Sequence, residues 1–104
     1  MYSMNKVVLA GRVSNDVEFH QASTMNIASF RMGVYAGNGK DNKAMYNNFT
    51  VKVFKELADK VMDNISKGSD VIVTGTWKTD SYKNKEGKTV YTNELLADNV
   101  GIAL

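Results

Sequence analysis

Hydrophobic and polar residues alternate with a period of two along several stretches of the chain, which predicts β-strands that bury one face. Five strands are predicted, over residues 6–13, 27–35, 45–54, 70–79 and 89–97. After Lys55 the apolar residues instead fall on one side of a helical repeat, which predicts an amphipathic helix of about three turns. Gly68 is the predicted stop signal after this helix. Polar connections follow at residues 36–42 and 80–88, the second turning at residues 84–87.

Three strands, a helix and two more strands form the element order of the OB-fold, a five-stranded Greek-key barrel with an α-helix between strands 3 and 4. The predicted fold class is therefore all-β with one helix. The chain has 104 residues, of which 43% are hydrophobic and 23% charged, and this is typical of one globular domain. We expect that domain to span residues 1–104.

The composition disfavours catalysis and metal binding. The absence of cysteine excludes disulfides, thiolate zinc sites and a cysteine nucleophile. The single histidine, His20, lies in a predicted loop, and the acidic residues are scattered among lysines instead of converging as in a metal nuclease. We therefore expect no enzyme, no cofactor and no bound metal. No segment resembles a membrane span or a signal peptide, so we expect a cytoplasmic protein.

Basic residues are concentrated in two stretches, although the net charge is only +2. Residues 31–55 contain five basic residues and one acid, and residues 78–88 contain four basic residues and two acids. The basic residues proposed to contact a nucleic-acid backbone are Arg31, Lys40, Lys43, Lys52, Lys78, Lys83 and Lys85. On charge alone, two solvated loops explain the pattern equally well.

Aromatic rings next to these basic residues favour nucleic-acid binding, because every base has a face that can stack on a ring. Arg31 and Tyr35 lie on the non-core side of the second strand, and Lys52 and Phe54 lie on that of the third. The two strands are expected to be antiparallel neighbours. The alternative for Phe54 is a small second core under the helix or a loop.

Two further tyrosines are candidates for stacking. Tyr82 lies beside lysines in the 80–88 hairpin, with hairpin packing as its alternative, and Tyr46 is a weaker candidate. We expect Tyr82 to contribute a similar or smaller amount than Phe54, because a mobile hairpin loses conformational entropy when it is ordered. Trp77 shares the side of Val71 and Val73, which predicts partial burial in the core.

Several strings resemble the bacterial single-stranded-DNA-binding protein family over nearly the whole chain. They are NKVVLAGRVSNDVEF, IASFRMGV and VFKELADKVMDNISKGSDVIVTGTWKTDSYKNKEGKTVYTNELLADNV. The resemblance implies binding of single-stranded DNA without sequence specificity, in replication, recombination or repair. It also implies a homo-oligomer, with a homotetramer favoured over a homodimer, and replication or recombination proteins as partners.

Carried onto this chain, the family's stacking rings fall on Phe54 and Tyr82, its lysine before the glycine after the helix falls on Lys67, and a basic residue of its fourth strand falls on Lys78. Two positions depart from the family pattern. Asn48 stands where the family usually has an aromatic residue at the start of the third strand, and Asn38 stands where some members have one after the second strand. Tyr46 and Tyr35 are the available substitutes, and fewer rings imply weaker stacking per base.

Bacterial members continue into a flexible linker and an acidic tail, whereas this chain stops at Leu104. It therefore resembles the short, tailless versions carried by phages, which would place it in the bacterial host cytoplasm; the alternative is a trimmed form of a longer chain. Three functional alternatives stay open: a primosome-type OB adaptor, an RNA-binding OB module and a nuclease on an OB scaffold.

Overall fold

The computed structural model describes residues 1–103, which form six strands and one helix. The elements are β1 (Val7–Val13), β2 (Glu18–Gln21), β3 (Asn26–Asn38), β4 (Ala44–Phe54), α1 (Lys55–Asn64), β5 (Asp70–Lys83) and β6 (Thr89–Ile102). They form one sheet in the order β1-β5-β6-β4-β3-β2, which an additional β1–β3 pairing closes into a barrel. The β4–β6 pair is parallel, and the other pairs are antiparallel. This is the predicted OB-type order with one strand added.

The added strand is β2, where the sequence predicted a loop around His20, and that prediction was wrong. β2 pairs antiparallel with β3, and His20 lies opposite Ile27. All four residues of β2 are exposed. An edge strand with no buried face carries no alternation of hydrophobic and polar residues, which is why the pattern missed it.

Three strands also run further than predicted. β3 continues to Asn38, and β5 and β6 stay paired as far as Lys83 opposite Thr89. The turn that joins β5 and β6 is closed by the Asn84 side chain, whose Oδ1 accepts hydrogen bonds from the backbone N–H of Glu86 and Lys88, each 3.0 Å long. Residues 80–83 of the predicted 80–88 connection are therefore strand, and the turn is confined to residues 84–88.

The core lies inside the barrel and is covered at one end by α1. Its buried residues are Val13, Ala28, Phe30, Met32, Val51, Val53, Ala58, Val61, Ile65, Val71, Val73 and Leu95. Trp77 packs against this core as predicted, edge-on to Phe49 with ring centroids 5.9 Å apart. The helix ends at Asn64, before the predicted stop at Gly68, whose N–H donates to the Val13 carbonyl. No helix within residues 1–103 is long and apolar enough to cross a membrane.

Gly11 is required where β1 closes the barrel against β3. A Cβ at this position would overlap the carbonyl oxygen of Gly33. A glycine inside a strand can mark a bulge or a close approach of two backbones, and at Gly11 it is the close approach. It matters for the site, because it brings the outer side of β1 next to that of β3.

Candidate nucleic-acid interface

Most of the predicted site residues that lie on strands share one outer surface of the barrel. The antiparallel β3–β4 register pairs Ile27 with Phe54, Ser29 with Lys52, Arg31 with Thr50, Gly33 with Asn48 and Tyr35 with Tyr46. Because side chains alternate across a strand, these ten residues point away from the core. We call them the β3–β4 outer face. The neighbouring antiparallel strands and the shared side of the candidates are as predicted, whereas their binding role stays a prediction.

A pair of tyrosines forms one end of the β3–β4 outer face. Tyr35 and Tyr46 meet edge to face, with centroids 6.1 Å apart and ring planes at 69°. The Tyr35 hydroxyl donates a 2.7 Å hydrogen bond to Asn38 Oδ1. Each tyrosine is 58% exposed. The rings therefore support each other at an edge and leave surface on which a base could stack.

An open groove of about 810 Å³ runs beside these tyrosines. Its walls include Tyr35, Tyr46 and Asn48 from the β3–β4 outer face, and Lys67 from the connection after α1. The groove thus brings three predicted site residues, Tyr35, Tyr46 and Lys67, to one place. Asn48 lines the groove at the position where the family resemblance led us to expect an aromatic residue.

Arg12 also lines the groove, and sequence reasoning missed it. Its Nε lies 3.0 Å from Asp70 Oδ1, and the hydrogen bond and the charge of Asp70 raise the Arg12 pKa further above its ordinary value. Asp70 therefore orients a guanidinium that stays charged. The sequence did contain a signal: in an alternating first strand, Arg12 lies on the side that faces away from the core, because its neighbour Val13 is buried.

Phe54 lies at the other end of the β3–β4 outer face. It is eight residues along β4 from Tyr46, or about 26 Å at 3.3 Å per residue. It is half-buried and lies outside the core cluster. Phe54 also precedes α1 as its N-cap residue, where its side chain makes no capping hydrogen bond. Partial burial is compatible with base stacking and with a small second core, so the role of Phe54 stays a prediction.

The basic residues between the two ends differ in their partners. The Arg31 side chain is exposed and makes no ion pair within residues 1–103. Its backbone is held in place, because Asn15 Oδ1 accepts its N–H at 2.8 Å and Ser14 N–H donates to its carbonyl at 2.8 Å. Lys52, in contrast, forms a 2.7 Å ion pair with Glu94 of β6. Arg31 is thus the free cation in the middle of the face.

The remaining predicted residues lie outside the groove. Lys78 and Tyr82 are on the outer side of β5, Lys83 ends β5, Lys85 is in the β5–β6 turn, and Lys40 and Lys43 are in the β3–β4 turn. Tyr82 is 56% exposed, and Tyr91, which the sequence did not single out, is 75% exposed. The two tyrosines point to opposite sides of the β5–β6 hairpin, because Tyr82 pairs with Val90 and Tyr91 with Ser81.

A closed barrel with this strand order and one helix defines an OB-fold domain. A solved structure supports the fold: the small single-stranded DNA-binding protein from Streptomyces coelicolor matches with a TM-score of 0.77 at 22% identity, over 95% of this chain and 94% of that chain.

Residues 4–103 match the sequence profile of the single-strand binding protein family, and the chain belongs to that family. Single-stranded DNA-binding protein 1 of Staphylococcus aureus strain Mu50 is 36% identical over an alignment of 101 positions that covers 93% of this chain and 64% of the relative. Single-stranded DNA-binding protein 2 of strain COL is also 36% identical, over 93% of this chain and 71% of the relative. The chain thus spans 64% of the length of the first relative.

Proposed function

We propose that this protein binds single-stranded DNA without sequence specificity, through base stacking and phosphate contacts. The observation that carries the proposal is the β3–β4 outer face, with the Tyr35–Tyr46 pair at one end, Phe54 at the other and Arg31 between them. A ring stacks with any base and contributes roughly 1 to 3 kcal/mol per base. Cations between the rings are placed to neutralise the phosphates that link stacked bases.

The arrangement suits single strands better than duplexes. Bases in a duplex are stacked on one another, so the rings of this face could not reach them. A helix that reads a duplex through its major groove must protrude from the fold. The only helix within residues 1–103 instead buries Ala58 and Val61 against the barrel core. The names of the Staphylococcus aureus relatives, single-stranded DNA-binding proteins, agree with this choice.

We further propose that the protein is not an enzyme and acts in replication, recombination or repair in the cytoplasm. The groove is lined by small apolar and polar residues, two tyrosines and the basic Arg12 and Lys67, with Asp70 as its carboxylate, and Asp70 is already paired with Arg12. One paired carboxylate is a poor general base and cannot by itself hold a catalytic metal. Binding is therefore the activity that the groove chemistry supports.

Side-by-side titration of three labelled oligonucleotides of equal length tests the proposal. Fluorescence anisotropy should show tight binding of oligodeoxythymidine, weaker binding of oligouridine and the weakest binding of duplex DNA. Equal affinity for duplex and single strand would refute the proposal, and a preference for oligouridine would favour the RNA-binding alternative. An extrinsic label is needed, because Trp77 is half-buried against Phe49 and reports poorly on the outer face.

We also propose that the protein forms a homo-oligomer, a homotetramer in preference to a homodimer. Two separate surfaces support this. The edge of residues 7–11 of β1 that faces away from β5 has no partner strand among residues 1–103, so it can pair with a second chain. On the outer side of β1 and β5, Val8 and Ile72 are 62% and 46% exposed. Two different two-fold contacts on one chain generate a tetramer.

Light scattering of wild-type protein and of a Val8→Lys variant tests the assembly. The variant should dissociate into smaller species, because a charge would have to be buried in the apolar contact. Met62→Lys is the matched control, since Met62 is an exposed apolar residue of α1 away from both surfaces. A wild-type monomer at micromolar concentration would refute the assembly.

A further inference from the structure

An acidic residue lies among the cations of the proposed DNA-binding side of the sheet. Glu94 of β6 forms its ion pair with Lys52 across the β4–β6 seam, at 2.7 Å from Nζ to Oε2. In the β5–β6 register Glu94 lies directly opposite Lys78. Residues in that position have Cβ atoms about 5 Å apart. Glu94 thus stands between two lysines that are both candidates for phosphate contacts.

The environment of this ion pair makes it more persistent than a fully exposed one. The Glu94 side chain is only 20% exposed, and that of Lys52 is 39% exposed. The other two ion pairs within residues 1–103, Lys6 with Asp98 and Arg12 with Asp70, join side chains that are all more than half exposed. Partial burial reduces screening by salt, so the Lys52–Glu94 attraction remains at ionic strengths that weaken the others.

A phosphate that approaches Lys52 meets two obstacles. It must displace the Glu94 carboxylate, which is already paired with the Lys52 ammonium group. After this exchange the unpaired carboxylate still lies nearby and repels the phosphate. The binding of a phosphate to a free lysine gains affinity by releasing a condensed counterion from the DNA. At Lys52 this gain is offset, because Glu94 loses its own partner in the exchange. Arg31 and Lys78 make no ion pair within residues 1–103, so they carry no such penalty.

We propose that Glu94 is a resident competitor for phosphate, a positioning residue that withholds Lys52 from DNA and thereby limits the affinity and residence time of the strand. The inference rests on the proposed function and identifies a residue that sets the DNA affinity of that same site. The structural alternative is that the ion pair only fastens β4 to β6, a seam whose paired residues are Val51 with Leu95 and Lys52 with Leu96.

Glu94→Gln tests the proposal, because it removes the charge and keeps the shape of the side chain. If Lys52 then gains one phosphate contact, the slope of log affinity against log salt should steepen by about 0.7. One added contact at that slope corresponds to roughly five-fold tighter binding at 0.1 M salt. Glu56→Gln is the matched control, since it makes the same change in net charge on the exposed first turn of α1.

A double-mutant cycle connects the gain to Lys52. Lys52→Ala should leave the slope of log affinity against log salt unchanged in the wild-type background and reduce it by about 0.7 in the Glu94→Gln background, because only there does Lys52 contact a phosphate. The slope is the measure here, since Lys52→Ala in wild type also leaves the Glu94 carboxylate unpaired and repulsive. Equal changes of slope in both backgrounds would refute the coupling. An unchanged slope in Glu94→Gln with a lowered melting temperature would assign the ion pair to the seam alone, and an equal gain in Glu56→Gln would assign the effect to net charge.

A replacement variant and the binding of wild-type protein separate the remaining outcomes. If Glu94→Gln does not fold, Glu94→Asp takes its place: the shorter side chain keeps the charge but withdraws it from Lys52, so a smaller rise in affinity is expected, and no rise would refute the proposal. If wild-type protein fails to bind oligodeoxythymidine, the proposed function itself is refuted together with this inference. If wild type binds and the Glu94 variants match it, only the inference fails.

Discussion

Phe54 offers the sharpest test of the binding face, because packing and stacking make different predictions for its removal. The ring is half-buried beside Ile27 on the outer side of the β3–β4 pair and lies outside the core cluster. Replacing it by alanine removes both the packed and the exposed parts. Replacing it by leucine keeps most of the packed volume but removes the flat ring on which a base could stack.

The structure bounds both effects. Truncation of a fully buried phenylalanine costs about 3 to 5 kcal/mol of folding free energy. Phe54→Ala should cost less than about 3 kcal/mol, because the ring is only partly buried and its side chain makes no capping bond to α1. One lost stacking contact should cost roughly 1 to 3 kcal/mol of binding, which is about 5- to 150-fold in Kd. Phe54→Leu should lose nearly as much binding and far less stability.

The assay combines anisotropy titration of oligodeoxythymidine with thermal melting of each variant. Phe30→Ala provides the opposite control, since Phe30 is 1% exposed in the core. It should lower the melting temperature strongly, whereas the fraction that remains folded should bind normally. A Phe54→Leu variant that binds as well as wild type would refute stacking at this position. If Phe54→Ala also loses only stability, Phe54 belongs to a second small core.

Three other outcomes are expected. Tyr82→Ala should weaken binding and Tyr91→Ala should not, because the two rings lie on opposite sides of one hairpin; equal losses in the same titration would contradict the assigned side. Lys67→Ala should reduce the slope of log affinity against log salt by about 0.7, and an unchanged slope would remove Lys67 from the phosphate path. The hydrogen bond from the Thr74 hydroxyl lowers the pKa of Asp98 below its ordinary value of 3.8. The ionised carboxylate therefore stabilises the fold above that pH. This stabilisation is lost as the pH falls through the lower pKa that Asp98 has in the folded state. Acid unfolding followed by circular dichroism should therefore be flatter below about pH 4 in Asp98→Asn, and an unchanged profile would contradict this linkage.

The parts of the fold that were predictable are those in which one face of a strand is buried. Alternation over residues 27–35 and 45–54 identified the core side of β3 and β4, because each slip of one residue would have exposed that side. β2 and the outer parts of the β5–β6 hairpin bury neither side, and their pairing rests on backbone hydrogen bonds that any sequence can make. No pattern in the side chains reports such bonds.

The candidate site was predictable along each strand and not across the barrel. Parity placed Tyr35 and Phe54 on the outer side, and the register confirmed that placement. The groove depends on the close approach of Gly11 to Gly33, which brings Arg12 and Lys67 next to the tyrosines. Closure of a barrel is a property of the whole sheet, so local spacing could not anticipate these two neighbours.

Charge counting along the chain failed for a related reason. Glu94 lies outside both basic stretches of the sequence, yet the parallel β4–β6 seam places it against Lys52. Whether a lysine on a sheet is free to bind an anion depends on the side chains of the neighbouring strands, which come from distant parts of the chain. The number of cations on the face that are free to bind an anion is therefore smaller than the number of basic residues in the strands that form it.

The β5–β6 hairpin changes the expected ranking of the two rings that the family resemblance selected. The sequence suggested a mobile hairpin, and hence a larger ordering cost for Tyr82 than for Phe54. In the structure the two strands stay paired as far as Lys83 and Thr89, and Asn84 closes the turn with two hydrogen bonds to the backbone. The backbone beneath Tyr82 is thus already ordered, so the main entropy lost on stacking is that of the side chain, at most about 2 kcal/mol. Tyr82→Ala should then approach Phe54→Ala in its effect on binding, and a much smaller effect would indicate that the hairpin opens in solution.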